Sequence, residues 1–213
     1  MRRVKYPRTW HLPESPNRGT DGDHVHPGHA SFTGREVVVT EKLDGENTTI
    51  YADGSCHARS VSSGYHPTRT WVSALAGRIG HRLPAGWRIS GENTFGVHSI
   101  AYDALPSYFQ LFAVYDDHDL CLSWGDTARW AADLELDLVH VLYRGTFDAS
   151  ALLGLLDGPS AYGPEREGVV VRWAAAFAVG QHQEAVGKLV RRNHVKTDQH
   201  WMHGRVPSNG LAS

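Results

Sequence analysis

Cysteine is nearly missing from this 213-residue chain: Cys56 and Cys121 are its only two. They cannot build a disulfide framework, which points to a reducing compartment, the cytoplasm. Lysine is scarce too, with four residues (Lys5, Lys42, Lys188, Lys196) against 17 arginines. Arginine is the default cation here, so each lysine marks a place where an amine that can lose its proton has been kept. Long apolar runs are absent. The longest candidate, Val169 to Val179, is broken by Arg172, so no membrane-spanning helix is expected. The basic start, MRRVKYPRTW, lacks the apolar stretch of a secretory signal. The formal net charge is −2 and the pI about 6.7. That excludes nucleic-acid binding by bulk charge and leaves only a local basic patch.

What is present suffices for one packed domain, with 41% apolar residues and plentiful Gly and Pro. Residues 1–35, rich in Pro and Gly, read as an irregular wrapped segment. Residues 36–41 (EVVVTE) read as a buried strand, and 46–52 (ENTTIYA) as its antiparallel partner across a Lys42–Gly45 turn. A third strand is expected over 56–61, a helix over 67–83, and strands over 87–93 and 108–116. Short helices are expected over 126–136 and 148–157, N-capped by Asp126 and Asp148. Late strands fall at 167–173 and 186–192, and 204–213 read as a loose tail. Strands and helices do not alternate in a βαβ rhythm, which predicts an α+β fold with an antiparallel sheet.

Glu41-Lys42-Leu43-Asp44-Gly45 places one of the few lysines at the end of an apolar strand, in a tight turn, beside acids. A free lysine has a pKa of about 10.4 and is protonated at neutral pH. Desolvation or a neighbouring cation must lower that value before the amine attacks phosphorus. Gly45 permits the turn and close backbone approach to a nucleotide. The competing reading is a solvated β-turn.

The K-x-D-G string is accompanied by others in order. Asn47 follows five residues past the lysine, Arg59 lies in HARS, and Gly91-Glu92 ends the strand WRISGEN. Phe112 sits in QLFAVYD, Glu167-Gly168 precedes Val169–Val171, and Lys188 opens GKLVRRNHVKT. Over about residues 36–200 this series resembles the covalent nucleotidyltransferases, and most closely the type 2 RNA ligases. Two positions depart from that pattern: Ala113 follows Phe112 where an Asp is common, and Val190 stands where a second lysine is common.

The resemblance implies a single antiparallel-sheet, ATP-grasp-like adenylyltransferase domain over 1–213 with no appended OB-type domain. It implies ATP as substrate with Mg2+ or Mn2+, and RNA ends (5′-phosphate and 3′-hydroxyl) as partners, with room for a partner protein that adds RNA-binding surface. Lys42 would be the nucleophile that carries AMP, and Lys188 the α-phosphate contact. Arg59 and Arg172 would touch phosphate or ribose, a guanidinium fork suiting phosphate oxygens; the alternative for Arg172 is an exposed strand residue. Glu92 and Glu167 would bind ribose hydroxyl or metal. Asp44 and Asn47 would orient the lysine or hold metal-bound water. Glu41 would receive the adenine amino group or pack beside it, and Phe112 would stack on adenine or simply fill the core. The alternatives in activity are a DNA ligase, a capping-type nucleotidyltransferase core, or a nucleotide- or RNA-end-binding module that no longer ligates.

Other features are read more plainly. His24, His26 and His29 fit no zinc spacing. His194, His200 and His203, with Arg191, Arg192 and Lys196, are expected to line a phosphate-contacting surface. Arg2, Arg3, Lys5 and Arg8 form a second basic cluster, either touching RNA backbone or solvated.

Overall fold

The computed structural model describes residues 2–16, 24–192 and 206–212. Two largely antiparallel sheets face each other. The first contains β1 (Trp10–His11), β2 (Glu36–Lys42), β9 (Val141–Thr146), β10 (Gly168–Trp173) and β12 (Val186–Val190), in the order β1-β12-β10-β2-β9. The second contains β3 (Glu46–Tyr51), β4 (Cys56–Ala58), β5 (Arg88–Asn93), β6 (Phe109–Tyr115), β7 (Leu120–Cys121) and β11 (Phe177–Ala178). Its order is β11-β7-β6-β5-β3-β4, and β8 (Asp137–Leu138) lies parallel to β6. The mixed, antiparallel-rich class expected from the sequence is what forms.

The run Val37-Val38-Val39 has no polar break because β2 is buried on both faces. Val37 and Val39 join the core that also takes Ala113 and Tyr115 of β6, while Val38 points to the opposite cluster with Trp124 and Val139. A strand covered on both sides reads as a continuous apolar stretch. Each such valine contributes on the order of 2 kcal/mol by leaving water.

Helix α1 (Thr70–Ile79) buries Val72, Leu75, Ala76 and Ile79, an i, i+3, i+4, i+7 stripe, against Ile50, Ile89, Phe109 and Leu111 of the second sheet. Single 3-10 turns at 67–69 and 80–82 flank it within the expected helical span. Helix α2 (Trp124–Leu134) adds Ala131 and Leu134 to the same core. Its N-cap is Ser123 rather than Asp126. The Ser123 hydroxyl accepts from the Asp126 amide at 3.1 Å and donates to the Asp126 carboxylate at 2.5 Å, so the acid sits one turn in. Helix α3 (Ala149–Leu156) is capped by Asp148 as expected, and a short α4 (His182–Ala185) leads into β12.

The structure corrects three other expectations. β2 and β3 are not partners. β2 lies between β10 and β9, whereas β3 pairs with β4 and β5, so the Lys42–Gly45 turn carries the chain from one sheet to the other. Both edges of β2 are already satisfied, which leaves no hydrogen-bonding edge for a hairpin. β4 ends at Ala58, whose amide donates to the Ser63 hydroxyl at 3.0 Å. Residues 206–212 are not loose. The Asn209 side chain accepts from the Tyr102 amide (2.8 Å) and donates to the carbonyls of Thr94 (2.7 Å) and Gly96 (3.2 Å), and it is buried.

The histidines of the N-terminal segment serve packing. His26 lies against Trp10 and Phe32 and contacts the Val186 carbonyl at 3.3 Å, while His29 pairs with Glu14 at 2.9 Å. His194, Lys196, His200 and His203 lie outside the described residues.

Candidate active site

A cavity of about 370 Å3 opens between the two sheets. Its walls include Glu41, Lys42, Asn47, Arg59, Glu92, Phe112, Arg172 and Lys188, so eight residues marked by the sequence pattern converge on one space.

Strand register explains the convergence. Lys42, the last residue of β2, lies opposite Gly168 at the start of β10. Glu167 therefore stands beside the lysine, and Lys42 Nζ meets Glu167 Oε2 at 2.7 Å. On the second sheet Asn47 lies opposite Glu92, and on the first Lys188 lies opposite Val170. The glycines of these motifs are set by close approach. A Cβ at Gly168 would lie 2.1 Å from the Leu189 carbonyl oxygen, one at Gly45 2.6 Å from that of Asn93, and one at Gly91 2.4 Å from the Phe109 ring.

The electrostatics are those of an acid-rich pocket holding one amine. Burial by itself would lower the Lys42 pKa, but Glu167, Glu92 and Asp44 outweigh it and hold the amine above its ordinary value. The expected depression is thus absent: the three carboxylates prevail over burial. Burial also pushes the Glu92 carboxyl up to about 8, with Glu167 and Asp44 adding to the rise and Lys42 opposing it. Excess negative charge in a desolvated site is the donor arrangement that suits a hard divalent cation. Glu92 and Glu167 fit that description.

Asp44 has another task. Its Oδ2 accepts from the amides of Ser99 (2.7 Å) and Ile100 (2.9 Å), and its own amide donates to the Tyr102 hydroxyl at 2.8 Å. It anchors the turn, and it is not on the cavity wall. Arg172 is not an exposed strand residue. It is buried, and it donates to the carbonyls of Trp173 (3.2 Å), Phe112 (3.1 Å) and Leu122 (2.8 Å). Its guanidinium locks the two sheets together at the cavity wall, between the Trp124 and Phe177 rings.

Glu41 is almost fully buried. One carboxylate oxygen accepts from the Ala161 amide at 3.0 Å, while Oε1 has no hydrogen-bond partner among the described residues; the same is true of Asn47 Oδ1. Buried orphan acceptors at a cavity wall are what a ligand donor would satisfy. Phe112 is only half-buried and lines the cavity. Val190, where the resemblance would place a second lysine, is buried. Ala113 is likewise buried, packed in the same core as Val37 and Val39.

Sequence reasoning missed the N-terminal contribution. Tyr6, Pro7, Arg8 and Thr9 line the cavity, with the Tyr6 ring edge-on to Phe112 at 5.4 Å and to His182 at 5.2 Å. Burial, Arg172 and His26 lower the His182 pKa to about 4, so this packing partner is neutral at pH 7. Nothing local marks residues 6–9 as wall, because their partners lie more than a hundred positions away. His98 and Trp124 were missed for the same reason.

The cavity between the two sheets thus holds a strand-end lysine ion-paired to the glutamate that immediately precedes β10. The RNA ligase family model matches residues 35–190, and the chain belongs to that family. Among solved structures it is similar to an RNA ligase of Naegleria gruberi solved with PPi (TM-score 0.58, 21% identity, covering 77% of this chain and 52% of that one). A variant of that ligase with ATP and Mn gives a TM-score of 0.55 at 19% identity, covering 78% and 52%. Another with AMP and Mn gives 0.52 at 17%, covering 77% and 52%. The chain thus spans about half the length of the solved relatives it matches, and at these identities the likeness is one of fold. No curated protein matches the sequence. Among the described residues, no helix is long and apolar enough to cross a membrane.

Proposed function

We propose that this protein is an ATP-dependent RNA ligase that forms a lysyl-AMP intermediate on Lys42, transfers AMP to a 5′-phosphate RNA end, and seals that end to a 3′-hydroxyl. The observation that carries the reading is the contact at 2.7 Å between Glu167 and Lys42, the latter on the wall of the inter-sheet cavity. In the first step Lys42 Nζ forms an N–P bond with the α-phosphorus as the bond to the pyrophosphate oxygen breaks. Starting from the ammonium, Lys42 gives up two protons: one passes to Glu167 Oε2, its hydrogen-bond partner, and frees the lone pair, and the second, released as the N–P bond forms, leaves with the pyrophosphate.

The surrounding carboxylates keep Lys42 protonated, so the amine becomes nucleophilic only when the charge around it changes. Mg2+ or Mn2+ held by Glu92 and Glu167 would supply that change, neutralising carboxylate and phosphate together. Removing carboxylate charge from around Lys42 lowers its pKa toward the value burial dictates. Lys188, across β10 from the nucleophile, is assigned to the α-phosphate, and Arg59 to phosphate or ribose. Phe112 offers a ring to adenine, and the orphan Glu41 Oε1 is an acceptor for its amino group. Asn47, opposite Glu92, orients the lysine or a metal-bound water. Transfer to RNA and sealing are supported by family membership.

The test is incubation with α-labelled ATP or GTP and Mn2+, followed by a denaturing gel. ATP is expected to label the wild type and not Lys42→Ala. Equal labelling of both proteins, or none with any nucleotide, removes the covalent-lysine reading. Labelling by GTP alone points to capping chemistry. Labelling by ATP without sealing of nicked or single-stranded RNA leaves an end-binding module or a DNA-directed enzyme.

A further inference from the structure

We propose that the N-terminal strip Arg2–Arg8, together with the exposed ring of Tyr65, forms the surface that holds the single-stranded 5′-phosphorylated RNA end at the mouth of the nucleotide cavity. The inference rests on the ligase reading for the identity of the strand, and on the following geometry for its place.

The strip is extended and two-sided. Val4 and Tyr6 turn inward, while Arg2, Arg3, Lys5 and Arg8 are exposed. The inward side is fixed. The Val4 amide donates to the Tyr51 hydroxyl at 2.7 Å, the Tyr6 ring packs on Phe112, and Thr9 Oγ1 meets His182 Nε2 at 3.4 Å. The outward side is four cations in seven residues with no acid among them.

In a chain of net charge −2 such a concentration is the local patch that polyanion binding requires. It also leads somewhere. Arg8 lines the nucleotide cavity, and so does Arg59, which is likewise exposed. At its other end Arg3 donates to the Cys56 carbonyl at 3.4 Å and lies over the Tyr51 ring at 5.6 Å. Cys56 borders a shallow groove of about 170 Å3, whose rim carries Tyr65.

Tyr65 is 84% exposed, on the loop that begins at Arg59. A tyrosine ring left in water beside a cationic path is a stacking platform for an unpaired base. A duplex hides its base faces, so the ring selects a single strand. Of the acids nearby, Glu46 is ion-paired with Arg69, while the ionised Asp53 carboxylate accepts from the Ser55 amide at 3.0 Å and offsets part of the Arg3 charge.

The full chain with Arg2→Gln, Arg3→Gln and Lys5→Gln is compared with wild type and with Tyr65→Ala. Two assays are used: lysyl-AMP formation from α-labelled ATP, and anisotropy of a labelled 5′-phosphorylated RNA 12-mer across salt concentrations. The triple variant is expected to label with AMP as wild type does and to bind the strand more than tenfold more weakly in low salt. Its log–log salt slope should fall by about 2, since each neutralised single-strand phosphate contributes about 0.7. Tyr65→Ala should bind about tenfold more weakly with an unchanged slope, because stacking releases no counterions.

An unchanged slope and affinity in the triple variant overturns the strip. Equal affinity for blunt duplex RNA overturns the single-strand assignment, and equal affinity for a DNA strand overturns the choice of RNA. Failure of the ligase reading is separate: no AMP label in wild type, whatever the strand binding does.

Discussion

Glu92→Gln should make the unliganded protein more stable at alkaline pH while disabling it. The carboxyl is pushed from 4.5 up to about 8 in the folded protein, first by burial and then by Glu167 and Asp44. Between those two values the folded protein holds a proton that the unfolded chain has released. Stability therefore falls as pH rises across that window and levels off above it. At about 1.4 kcal/mol per pKa unit the shift sets a ceiling near 5 kcal/mol, and water access to the partly exposed side chain reduces this to the order of 2 kcal/mol.

Glutamine has the shape of the neutral acid and can keep an acceptor toward the Gly45 amide, so it removes the charge and little else. For a chain of this length about 2 kcal/mol corresponds to a rise in Tm of roughly 4–8 °C. Thermal unfolding of both proteins without metal, at pH 8.5 and pH 5, reads the effect. The gap should be present at pH 8.5 and nearly closed at pH 5. A gap independent of pH, or a less stable variant at pH 8.5, refutes the electrostatic account of the pocket. Added Mn2+ should raise the wild-type Tm more at pH 8.5 than at pH 5.5 and leave the variant unmoved.

Arg172→Lys should destabilise by about 3 kcal/mol in urea titration, because one ammonium cannot reach three carbonyls on two sheets and buried acceptors are left unpaired. Its effect on AMP labelling should follow the loss of folded protein; a fully folded variant that fails to label would return the guanidinium to phosphate binding. Asn209→Ala should cost about 2 kcal/mol by leaving the Tyr102 amide and the Thr94 carbonyl without partners, which hydrogen exchange at Tyr102 would report directly.

The sequence by itself determined the site's chemical members and the strands that bear them. Val37–Val39 and Val169–Val171 are apolar on successive residues because both faces of their strands are covered. Lys42, Glu92 and Glu167 were legible because each adjoins a close-packed or turn-forming glycine whose spacing survives in the chain. Tertiary structure decided where those members act. The turn at Lys42–Gly45 has the length of a hairpin, and only the pairing of β2 with β9 and β10 shows that it crosses between sheets. Only the tertiary structure shows that the Arg172 guanidinium is bonded to the Phe112 and Leu122 carbonyls from the opposite sheet.

Protonation was likewise undecided by the sequence. Burial would have lowered the Lys42 pKa, and Glu167 and Glu92 from distant segments, with Asp44 two residues on, outweigh it. Beyond the positive charge of Arg8, residues 6–9 carry no local sign of the cavity wall, and Asn209 carries none of its anchoring role. Their roles come from contacts across long stretches of chain, and short-range periodicity holds no record of which distant surfaces will meet.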